Sequence, residues 1–591
     1  MSSVAVPASA ADGAAWPVTP RPLRVRWLGR VAYRDALALQ RALFASGASD
    51  HLLLLEHEPV FTLGIRGGLD HLLVEPAALG ADIVRVDRGG DVTYHGPGQL
   101  VGYPVLSVPG KRGGGMADTA AYVHGVEQVL IDALADLGLA GCGRRPGETG
   151  VWVGPTDAAP RKIAAIGVKL TRARSMHGFA LNVDDRPLDW FGRIVPCGIA
   201  DKAVTSLASE GVVVSMADVV DAVAARAAAH WAQDRPTERA DVAWRVRDSD
   251  LSPFSRGLGP GRVPRPGPAT RPEDGPGERV AVLDAGTSVR LRGRLAEAGV
   301  TDGLAIASRK PAWMRVPLRT GPEYRRLKRI VAERQLVTVC EEAGCPNIFE
   351  CWNDGTATFM INGERCTRRC GFCLVDTSRP GPLDGAEPGR VADAVATMGL
   401  SYAVVTAVAR DDLDDGGASG FVATIAAIRS RVEGCRVEVL IPDCGGDEAA
   451  LDAIFVARPD VLNHNIETVA RLQRAVRPSA GYARSLAVLG RAKASGLVTK
   501  SSIIVGMGET DEEVDATLAD LAAVGTDIVT VGQYLRPTTH HLPIARWVPP
   551  GSFERWRVVG ASLGIGHVEA SPLTRSSYHA RDAADGHARR P

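Results

Sequence analysis

The stretch from Cys340 to Cys373 constrains this chain more than any other part of it. It holds six of the ten cysteines within 34 residues, in two triplets with the spacings C-x4-C-x5-C (Cys340, Cys345, Cys351) and C-x3-C-x2-C (Cys366, Cys370, Cys373). Four thiolates are the usual closed ligand set of an iron–sulfur cubane. A triplet leaves one iron with an open position, where a small molecule can bind. The spacing therefore favours a reactive cluster over one that only stores electrons.

Two other uses of these cysteines stay open from the pattern alone. Disulfides are typical of secreted chains, but residues 1–22 lack the basic cluster and apolar run of a signal peptide. Structural zinc is typically held by paired C-x2-C knuckles, often with histidine. The second triplet follows an apolar, strand-like run from Thr358 to Ile361, which indicates a ligand loop at the end of a strand.

Length and composition limit the remaining possibilities. A chain of 591 residues is too long to fold around a single hydrophobic core, so two or more domains are expected. Lys+Arg and Asp+Glu both number 68, which gives no basic field for nucleic acid. No apolar run approaches the roughly 20 residues of a membrane helix. We therefore expect a cytoplasmic protein with reduced thiols, no nucleic-acid partner and no membrane partner.

Patterning divides the chain into five segments. A segment from Arg256 to Arg279 is dense in Pro and Gly and cannot bury enough apolar surface to fold by itself. We expect disordered tails at 1–22 and 581–591, a front domain at 23–232, a Pro/Gly-rich linker at 233–306 and a rear domain at 307–580.

The front half has a mixed α+β pattern without strict strand–helix alternation. Strands are predicted at Leu23–Leu28, His51–Glu56, Gly150–Val153, Ile163–Val168 and Gly178–Val183. Helices are predicted over Tyr33 to Phe44, from an N-cap at Asp118, and from about Met216 to Trp231.

Three motifs carry the candidate chemistry of this half. They are RGGDVTYHGPGQ from Arg88, KIAAIG from Lys162, and VPCGI around Cys197. Each alone has an ordinary interpretation: a polar loop, a solvated lysine and a small buried thiol. In this order, and with HGFALNV at His177–Val183, they resemble lipoyl(octanoyl) transferase over about Arg21 to Trp231.

That resemblance implies the fold of biotin and lipoate protein ligases and a covalent mechanism. Cys197 would take an octanoyl group as a thioester, and Lys162 would lower the thiol pKa and shuttle the proton. A thiolate next to a cation is the competent nucleophile. The residues implied to line the acyl slot are Arg88, Gly89, Gly90, Asp91, Val92, Thr93, Tyr94, His95, Ala165, Ile166, Gly167, Gly178, Phe179 and Ala180.

The rear half alternates strands with helices. Six strand–helix units predict a parallel sheet curled as a partial (β/α)6 barrel, with chemistry at the carboxyl ends of the strands. The predicted strands are Thr358–Ile361, Tyr402–Val408, Arg436–Ile441, Asp460–Asn465, Val498–Val505 and Asp527–Gln533.

The rear motifs resemble the lipoyl synthases, which are radical S-adenosylmethionine enzymes. They are the two cysteine triplets, NHNIETV from Asn463, GQYLRPTTHHLP from Gly532 and RSSY from Arg575. The resemblance implies two 4Fe–4S clusters. One, on Cys366, Cys370 and Cys373, binds S-adenosyl-L-methionine; the other, on Cys340, Cys345, Cys351 and Ser577 (alternatively Ser576), donates sulfur to C6 and C8 of an octanoyl chain.

The resemblances together imply a bifunctional enzyme of lipoate biosynthesis. The implied partners are octanoyl-acyl carrier protein, lipoyl domains of 2-oxoacid dehydrogenase E2 subunits and of glycine cleavage H protein, and a ferredoxin- or flavodoxin-type reductant. Alternatives are an ATP-dependent lipoate ligase or a non-catalytic docking module in front, and another sulfur-inserting radical enzyme such as biotin synthase behind.

Overall fold

The computed structural model describes residues 21–74, 80–108, 118–194, 203–244, 279–281, 289–315, 322–333, 337–338, 347–348, 351 and 356–588. The strands are β1 (Leu23–Val31), β2 (Asp50–His57), β3 (Val60–Leu63), β4 (Asp82–Arg85), β5 (Val92–His95), β6 (Gln99–Val105), β7 (Cys142–Arg145), β8 (Glu148–Val153), β9 (Arg161–Thr171), β10 (Arg174–Asn182), β11 (Thr237–Asp241), β12 (Arg279–Ala281), β13 (Asp302–Leu304), β14 (Val337–Thr338), β15 (Thr356–Ile361), β16 (Tyr402–Ala407), β17 (Arg436–Leu440), β18 (Val461–Asn463), β19 (Thr499–Val505), β20 (Ile528–Gln533) and β21 (His567–Ala570).

The helices are numbered in the same way. They are α1 (Tyr33–Ser46), α2 (Thr119–Asp136), α3 (Leu188–Phe191), α4 (Met216–Ala227), α5 (Val289–Glu297), α6 (Pro322–Glu333), α7 (Glu387–Met398), α8 (Ala418–Arg431), α9 (Glu448–Val456), α10 (Gln473–Val476), α11 (Tyr482–Ala494), α12 (Asp511–Ala523), α13 (Pro550–Ser562) and α14 (Ala580–Ala588). Within the described residues, none of these helices is long and apolar enough to span a membrane.

The apolar runs of the front half pair into a mixed sheet. Among the described residues its strand order is β11-β1-β2-β6-β10-β9-β8-β7, and a smaller sheet, β4-β3-β5, lies beside it. Helix α2 begins where the Asp118 side chain accepts a hydrogen bond from the Ala121 amide, as its N-cap position predicts. Its buried side chains Val126, Leu130 and Leu134 pack on the larger sheet. The α+β architecture expected from the sequence is confirmed.

The rear half is built on a parallel sheet. In the described part of the chain, the strand order is β14-β15-β16-β17-β18-β19-β20-β21, and pairing is parallel from β15 to β21. Strand β14 is antiparallel at one edge. The six predicted strands coincide with β15 to β20, and helices such as α8 and α12 pack outside them. This is the open parallel barrel that the alternation predicted.

The segment expected to be linker contains elements of both halves. Strand β11, beyond residue 232, pairs in parallel with β1, so the front sheet extends past the expected boundary. Later in the segment, Val300 belongs to a core cluster that also includes Met507 and Val514 of the barrel. The tail expected from residue 581 instead continues helix α14 to Ala588. Residues 1–20, 245–278 and 589–591 lie outside the described ones.

Candidate functional site

The β9–β10 hairpin brings two of the front motifs together. In its register Gly167 faces Gly178, Ile166 faces Phe179, and Ala165 faces Ala180. The RGGD turn lies against the same hairpin, because the Gly89 amide donates to the Val168 carbonyl at 3.0 Å. A side chain at Gly178 would meet the Gly102 carbonyl oxygen at 2.1 Å, so only glycine allows this close approach.

Strand alternation divides the first motif between two faces of β5. Val92 and Tyr94 are buried in a cluster with Phe61, and the Tyr94 ring stacks on Trp190 at 4.7 Å. Thr93 and His95 point to the opposite face. The structure thus places Val92 and Tyr94 in core packing, although the resemblance implied the whole run as a slot lining.

Two charged residues of this motif hold the turn itself. Arg88 is buried and donates to both the carbonyl and the hydroxyl of Thr62 at 2.8 Å. The Asp91 carboxylate accepts hydrogen bonds from the Val92 amide at 2.7 Å and from His71 Nδ1 at 2.8 Å. These contacts shape the backbone that carries Gly89 and Gly90.

Hydrogen bonds connect a series of buried polar side chains from His95 to the backbone of Thr205. His95 Nδ1 donates to Gln99 Oε1 at 2.7 Å, Gln99 donates to Asn182 Oδ1 at 2.9 Å, and Asn182 donates to the Thr205 carbonyl at 2.9 Å. Burial, with a smaller contribution from His57, lowers the pKa of His95 to about 3. The imidazole is therefore neutral at physiological pH.

Lys162 pairs through its backbone with Ala203 and Thr205, which follow the candidate nucleophile Cys197 in the chain. Cys197 itself is outside the described residues, and Ala203 is the first described residue after it. The Lys162 amide donates to the Ala203 carbonyl and the Thr205 amide donates to the Lys162 carbonyl, both at 2.9 Å. The Lys162 ammonium donates to the Thr149 carbonyl at 3.1 Å and lies 4.8 Å from the centre of the Trp152 ring.

Asp87, which directly precedes the first motif, was missed by the sequence analysis. Its carboxylate binds His177 Nε2 at 2.9 Å and also the Lys169 ammonium. Partial burial raises the pKa of Asp87, but the hydrogen bonds from Lys169 and His177 outweigh burial and hold it at about 2. His177 has a φ of 60°, an uncommon conformation for a non-glycine residue. A single aspartate one position before a glycine turn gives no pattern that could have indicated this role.

The rear site is a cavity at the carboxyl ends of the barrel strands. It has a volume of about 380 Å³ and is lined by the three thiols of the second triplet, Cys366, Cys370 and Cys373, together with Ser576 and Ser577. Apolar walls come from residues such as Met360, Phe372, Val408, Ile441 and Leu535. Its volume lies within the usual range of small-molecule sites, about 300–1,000 Å³.

The cysteine loop is fixed by hydrogen bonds and ion pairs. Cys366 Sγ accepts from the amides of Arg368 and Ala409, each at 3.4 Å. The Arg368 guanidinium binds Asp411 at 2.6 Å and Asp443 at 2.5 Å. Burial raises the pKa of the Cys370 thiol to about 11 and that of Cys373 to about 12.

The donor set of this cavity fits a cubane cluster better than a single ion. No three His, Cys, Asp or Glu side chains among the described residues converge as they do around one metal ion. Each thiolate of a cubane binds a different iron, so the sulfurs stand further apart than the ligands of one ion. Three free thiols line this one cavity, one for each of three irons of a cubane.

The first triplet is described only at Cys351, because Cys340 and Cys345 lie outside the described residues. The Cys351 amide donates to the Asn347 carbonyl at 3.0 Å, and the Asn347 side chain donates to the Leu573 carbonyl at 2.7 Å. This contact ties the Cys351 segment to the chain just before Ser576 and Ser577.

Arg477 and Glu467 also line the cavity. Arg477 donates to the carbonyls of Asn465 and Ile466 at 2.8 and 3.1 Å. Burial raises the pKa of Glu467 above its ordinary value, although Arg477 opposes this shift. Glu467 belongs to the NHNIETV motif and follows the predicted strand Asp460–Asn465. Arg477 was missed because it lies beyond the short helix α10, away from any strand end.

Two family models match the chain in separate places. The model of the lipoyl protein ligase A/B catalytic domain matches residues 32–228, and the model of the radical SAM superfamily matches residues 360–521. The cysteine loop at the mouth of an open parallel barrel agrees with the second match. The rear half is therefore a radical S-adenosylmethionine domain, and the front half is a catalytic domain of the lipoate ligase and transferase type.

Relatives that carry the name lipoyl synthase match the rear half. Those of Frankia casuarinae and Rubrobacter xylanophilus are 56% identical over 272 and 278 residues, which is 46% and 47% of this chain and 82% and 87% of theirs. That of Mycobacterium tuberculosis is 52% identical over 50% of this chain and 94% of its own. The chain belongs to the lipoyl synthase family, and it carries a second catalytic domain of lipoate metabolism in front. Membership implies S-adenosylmethionine and 4Fe–4S chemistry in the barrel and lipoyl domains as substrates.

Proposed function

We propose that the chain carries out two consecutive steps of lipoate assembly on one acceptor lysine. The front half moves an octanoyl group from octanoyl-acyl carrier protein to a lysine of a lipoyl domain. The rear half then inserts sulfur at C6 and C8 of the octanoyl chain. The observation that carries the proposal is the cavity shared by three thiols and by Ser576 and Ser577, in a chain whose front half has a catalytic domain of lipoate metabolism.

In the front half, Cys197 is the proposed nucleophile and Lys162 its proton carrier. The Cys197 thiolate attacks the thioester carbon, and the carrier thiol leaves with the proton that Lys162 returns. The acceptor amine then attacks the new thioester, and its proton passes to the departing Cys197 sulfur. The backbone pairing of Lys162 with Ala203 and Thr205 supports this assignment, because these residues follow Cys197 closely in the chain. Thioester-to-amine transfer is downhill and needs no ATP.

In the rear half, the chain holds the cofactors and orients the acyl chain. Cys366, Cys370 and Cys373 would hold a 4Fe–4S cluster that, with S-adenosylmethionine, would supply radical chemistry. Cys340, Cys345, Cys351 and Ser577 would hold a second cluster that would supply sulfur. The apolar walls at Met360, Val408 and Leu535 suit an octanoyl chain and exclude water. Arg477 and Glu467 add charged groups to the lining of the same cavity.

The proposed partners follow from these two steps. Octanoyl-acyl carrier protein is the donor, lipoyl domains of E2 subunits and of H protein are the acceptors, and a ferredoxin- or flavodoxin-type protein is the reductant. We place the reaction in the cytoplasm. The proposed working parts are a front domain from residue 23 through β11 and a barrel domain that adds the segment around Val300 to the residues from 307 onward.

Acyl trapping tests the front half. Incubation with octanoyl-acyl carrier protein should add one octanoyl group to the peptide that contains Cys197, as measured by mass spectrometry. Cys197→Ser should abolish both the adduct and transfer, while Cys142→Ser, which changes a half-buried thiol of the same domain, should keep both. Activity of Cys197→Ser with free octanoate and ATP would instead show a ligase.

Anaerobic reconstitution tests the rear half. Two cubanes predict about eight irons per chain, and Cys340→Ala with Cys345→Ala should reduce this to about four. Ser577→Ala should lower the yield of sulfur-inserted product, whereas Ser576→Ala should not. About four irons in the unchanged chain, or zinc in place of iron, would contradict the two-cluster proposal.

A further inference from the structure

Helix α1 of the front domain is buried on two sides. Tyr33 and Leu37 pack with Val60, Val84 and Met176 of the front domain. The other side presents Ala36, Leu39 and Leu43 to a core cluster that includes Leu486 and Leu489 of α11 and Leu521 of α12 in the barrel. Helix α1 therefore packs in the cores of both halves. We call its contact with α11 and α12 of the barrel the seam.

Buried charges cross the seam beside the helix. Arg26 in β1 lies 2.9 Å from Asp520 in α12, and only 2% and 4% of these side chains are exposed. Glu238 in β11 binds the same guanidinium at 2.5 Å, and the Tyr482 hydroxyl of α11 donates to Asp520 at 2.9 Å. Burial of Arg26 without its carboxylate partners would be strongly destabilising. The pair of Arg26 with Asp520 joins the two halves and therefore forms only when they are docked.

The seam has a defined direction. Asp35, in the first turn of α1, binds Arg484 in the first turn of α11 at 2.8 Å. Further along, Ala42 meets Gly490, where a side chain on the glycine would stand 2.5 Å from the Ala42 Cβ. The two helices therefore run parallel, in close contact. Helix α11 precedes β19, so its first turn lies near the strand ends that form the barrel mouth.

Charged residues connect that end of the seam to the cysteine loop. Asp35 lies against Gly446, in the turn that follows β17. Asp443 starts the same turn and binds Arg368, between Cys366 and Cys370, at 2.5 Å. Arg34 also joins the two halves at this end, with Asp82 in β4 at 3.2 Å and Glu448 in α9 at 3.3 Å.

The same end of α1 borders the candidate acyl site. The Tyr33 ring lies 4.9 Å from the His57 ring and 6.1 Å from the His95 ring, measured between centres. The first turn of α1 thus has His95 of the candidate acyl site on one side and the mouth of the barrel on the other.

We propose that the two halves are permanently docked through this seam, and that docking fixes the acyl-transfer site and the barrel mouth at the same end of α1. A lipoyl domain that receives its octanoyl group in front then finds the barrel mouth of the same molecule at high effective concentration. The inference rests on the proposed function for its acceptor and on the seam contacts for its geometry. The Pro/Gly-rich segment is then not needed to keep the halves together.

Cleavage of the full chain tests the docking. A specific protease site is placed between residues 256 and 278, and the chain is cut completely. The halves should still elute together on gel filtration after about 100-fold dilution, because the seam, not the linker, joins them. Separate elution of the cut halves would overturn the proposal.

Two variants on the barrel side sharpen this experiment. Gly490→Leu places a bulky side chain against Ala42 while favouring its own helix, so the cut halves should separate. Asp520→Asn should weaken the seam, whereas Asp393→Asn, at an exposed pair with Arg431 within the barrel, should leave co-elution unchanged. Co-elution of the cut Gly490→Leu halves would contradict the assigned contact.

Product formation then tests the shared end of the seam. Octanoyl transfer and sulfur insertion into a pre-octanoylated domain are first assayed separately, so failure of either reaction is recognised as failure of the proposed function. The rate of the complete two-step reaction should be unaffected by dilution of the cut chain. It should fall by about tenfold in the cut Gly490→Leu variant. Equal rates for both at every dilution would exclude a benefit from docking.

Discussion

Arg368 and Asp443 form an ion pair of 2.5 Å between the cysteine loop and the carboxyl end of the third strand of the parallel run, β17. The Asp443 side chain is fully buried, and Arg368 also holds Asp411. Burial opposes the charge on Asp443, but Arg368 outweighs it and keeps the pKa of Asp443 below its ordinary value. One guanidinium thus connects the loop that carries the three thiols to two strand ends of the barrel, in addition to the hydrogen bonds of the loop backbone.

Arg368→Lys is expected to loosen the cluster loop without unfolding the barrel. A lysine cannot reproduce the fork that binds two carboxylates at once. Iron should be lost to a chelator faster than from the unchanged protein, measured as iron per chain against time under anaerobic conditions. Arg365→Lys, at a half-exposed pair with Asp376 beside the same loop, is the matched control and should retain iron normally. Equal loss from both variants would remove the special role of Arg368.

Lys500→Met is expected to destabilise the barrel by about 3–5 kcal/mol, because it leaves Glu438 as an uncompensated buried charge. Lys500 Nζ lies 2.9 Å from Glu438, both side chains are almost completely buried, and Tyr402 donates to the same carboxylate at 2.8 Å. Urea unfolding measures the change. Arg431→Met, at the exposed pair with Asp393, should cost less than about 1 kcal/mol. Similar costs for the two variants would contradict the assignment.

The front domain should lose stability as the pH falls below about 6.5. Burial lowers the pKa of His57 to about 4, while Val31 accepts from its Nδ1 and Tyr103 donates to its Nε2. Because the folded pKa lies below the unfolded one, stability is complete above pH 6.5 and is lost between pH 6.5 and 4, by about 2 kcal/mol at pH 5.

Unfolding midpoints between pH 5 and 8 test this histidine. His57→Gln should reduce the pH dependence of the midpoint without abolishing it, because burial also lowers the pKa of His95 in the same domain. His540→Gln, at an exposed residue of the rear half, should leave it unchanged. A slope that His57→Gln does not alter would show that other groups cause the pH dependence.

Gly178→Ala should abolish octanoyl transfer. An alanine Cβ would lie 2.1 Å from the Gly102 carbonyl oxygen and 2.6 Å from Pro104, so β10 would have to move away from β6 and carry the hairpin with it. Gly192→Ala, whose Cβ meets its nearest atom at 3.7 Å, is the matched control and should keep transfer within about twofold. Transfer assays and unfolding curves distinguish a lost site from a lost fold.

The sequence predicted those features that local pattern encodes. The six parallel strands, the Asp118 cap and the cysteine loop after β15 follow from apolar runs, a capping residue and spacing. Strand β11 was missed because its sequence, TERAD, has no alternation of apolar and polar residues. The strand forms because its backbone pairs with β1 at the edge of the sheet. Helix α1 was predicted, but its second buried stripe was not.

Contacts between distant segments gave no signal in the sequence. Arg26 and Asp520 are far apart in the chain, and each alone has the pattern of an ordinary surface charge. The same holds for Asn347 with Leu573, which connects the Cys351 segment to the chain just before the serines. Such pairs depend on how folded elements that are distant in the sequence pack against each other, and residue periodicity and spacing do not predict that packing.

Strand β11 has a consequence for any attempt to shorten this protein. Truncation after residue 232 would strip the outer strand from the larger sheet and leave the backbone of β1 as a bare hydrogen-bonding edge, which invites aggregation. It would also remove Glu238 from beside Arg26. The minimal front fragment that keeps its sheet complete therefore extends at least through Asp241.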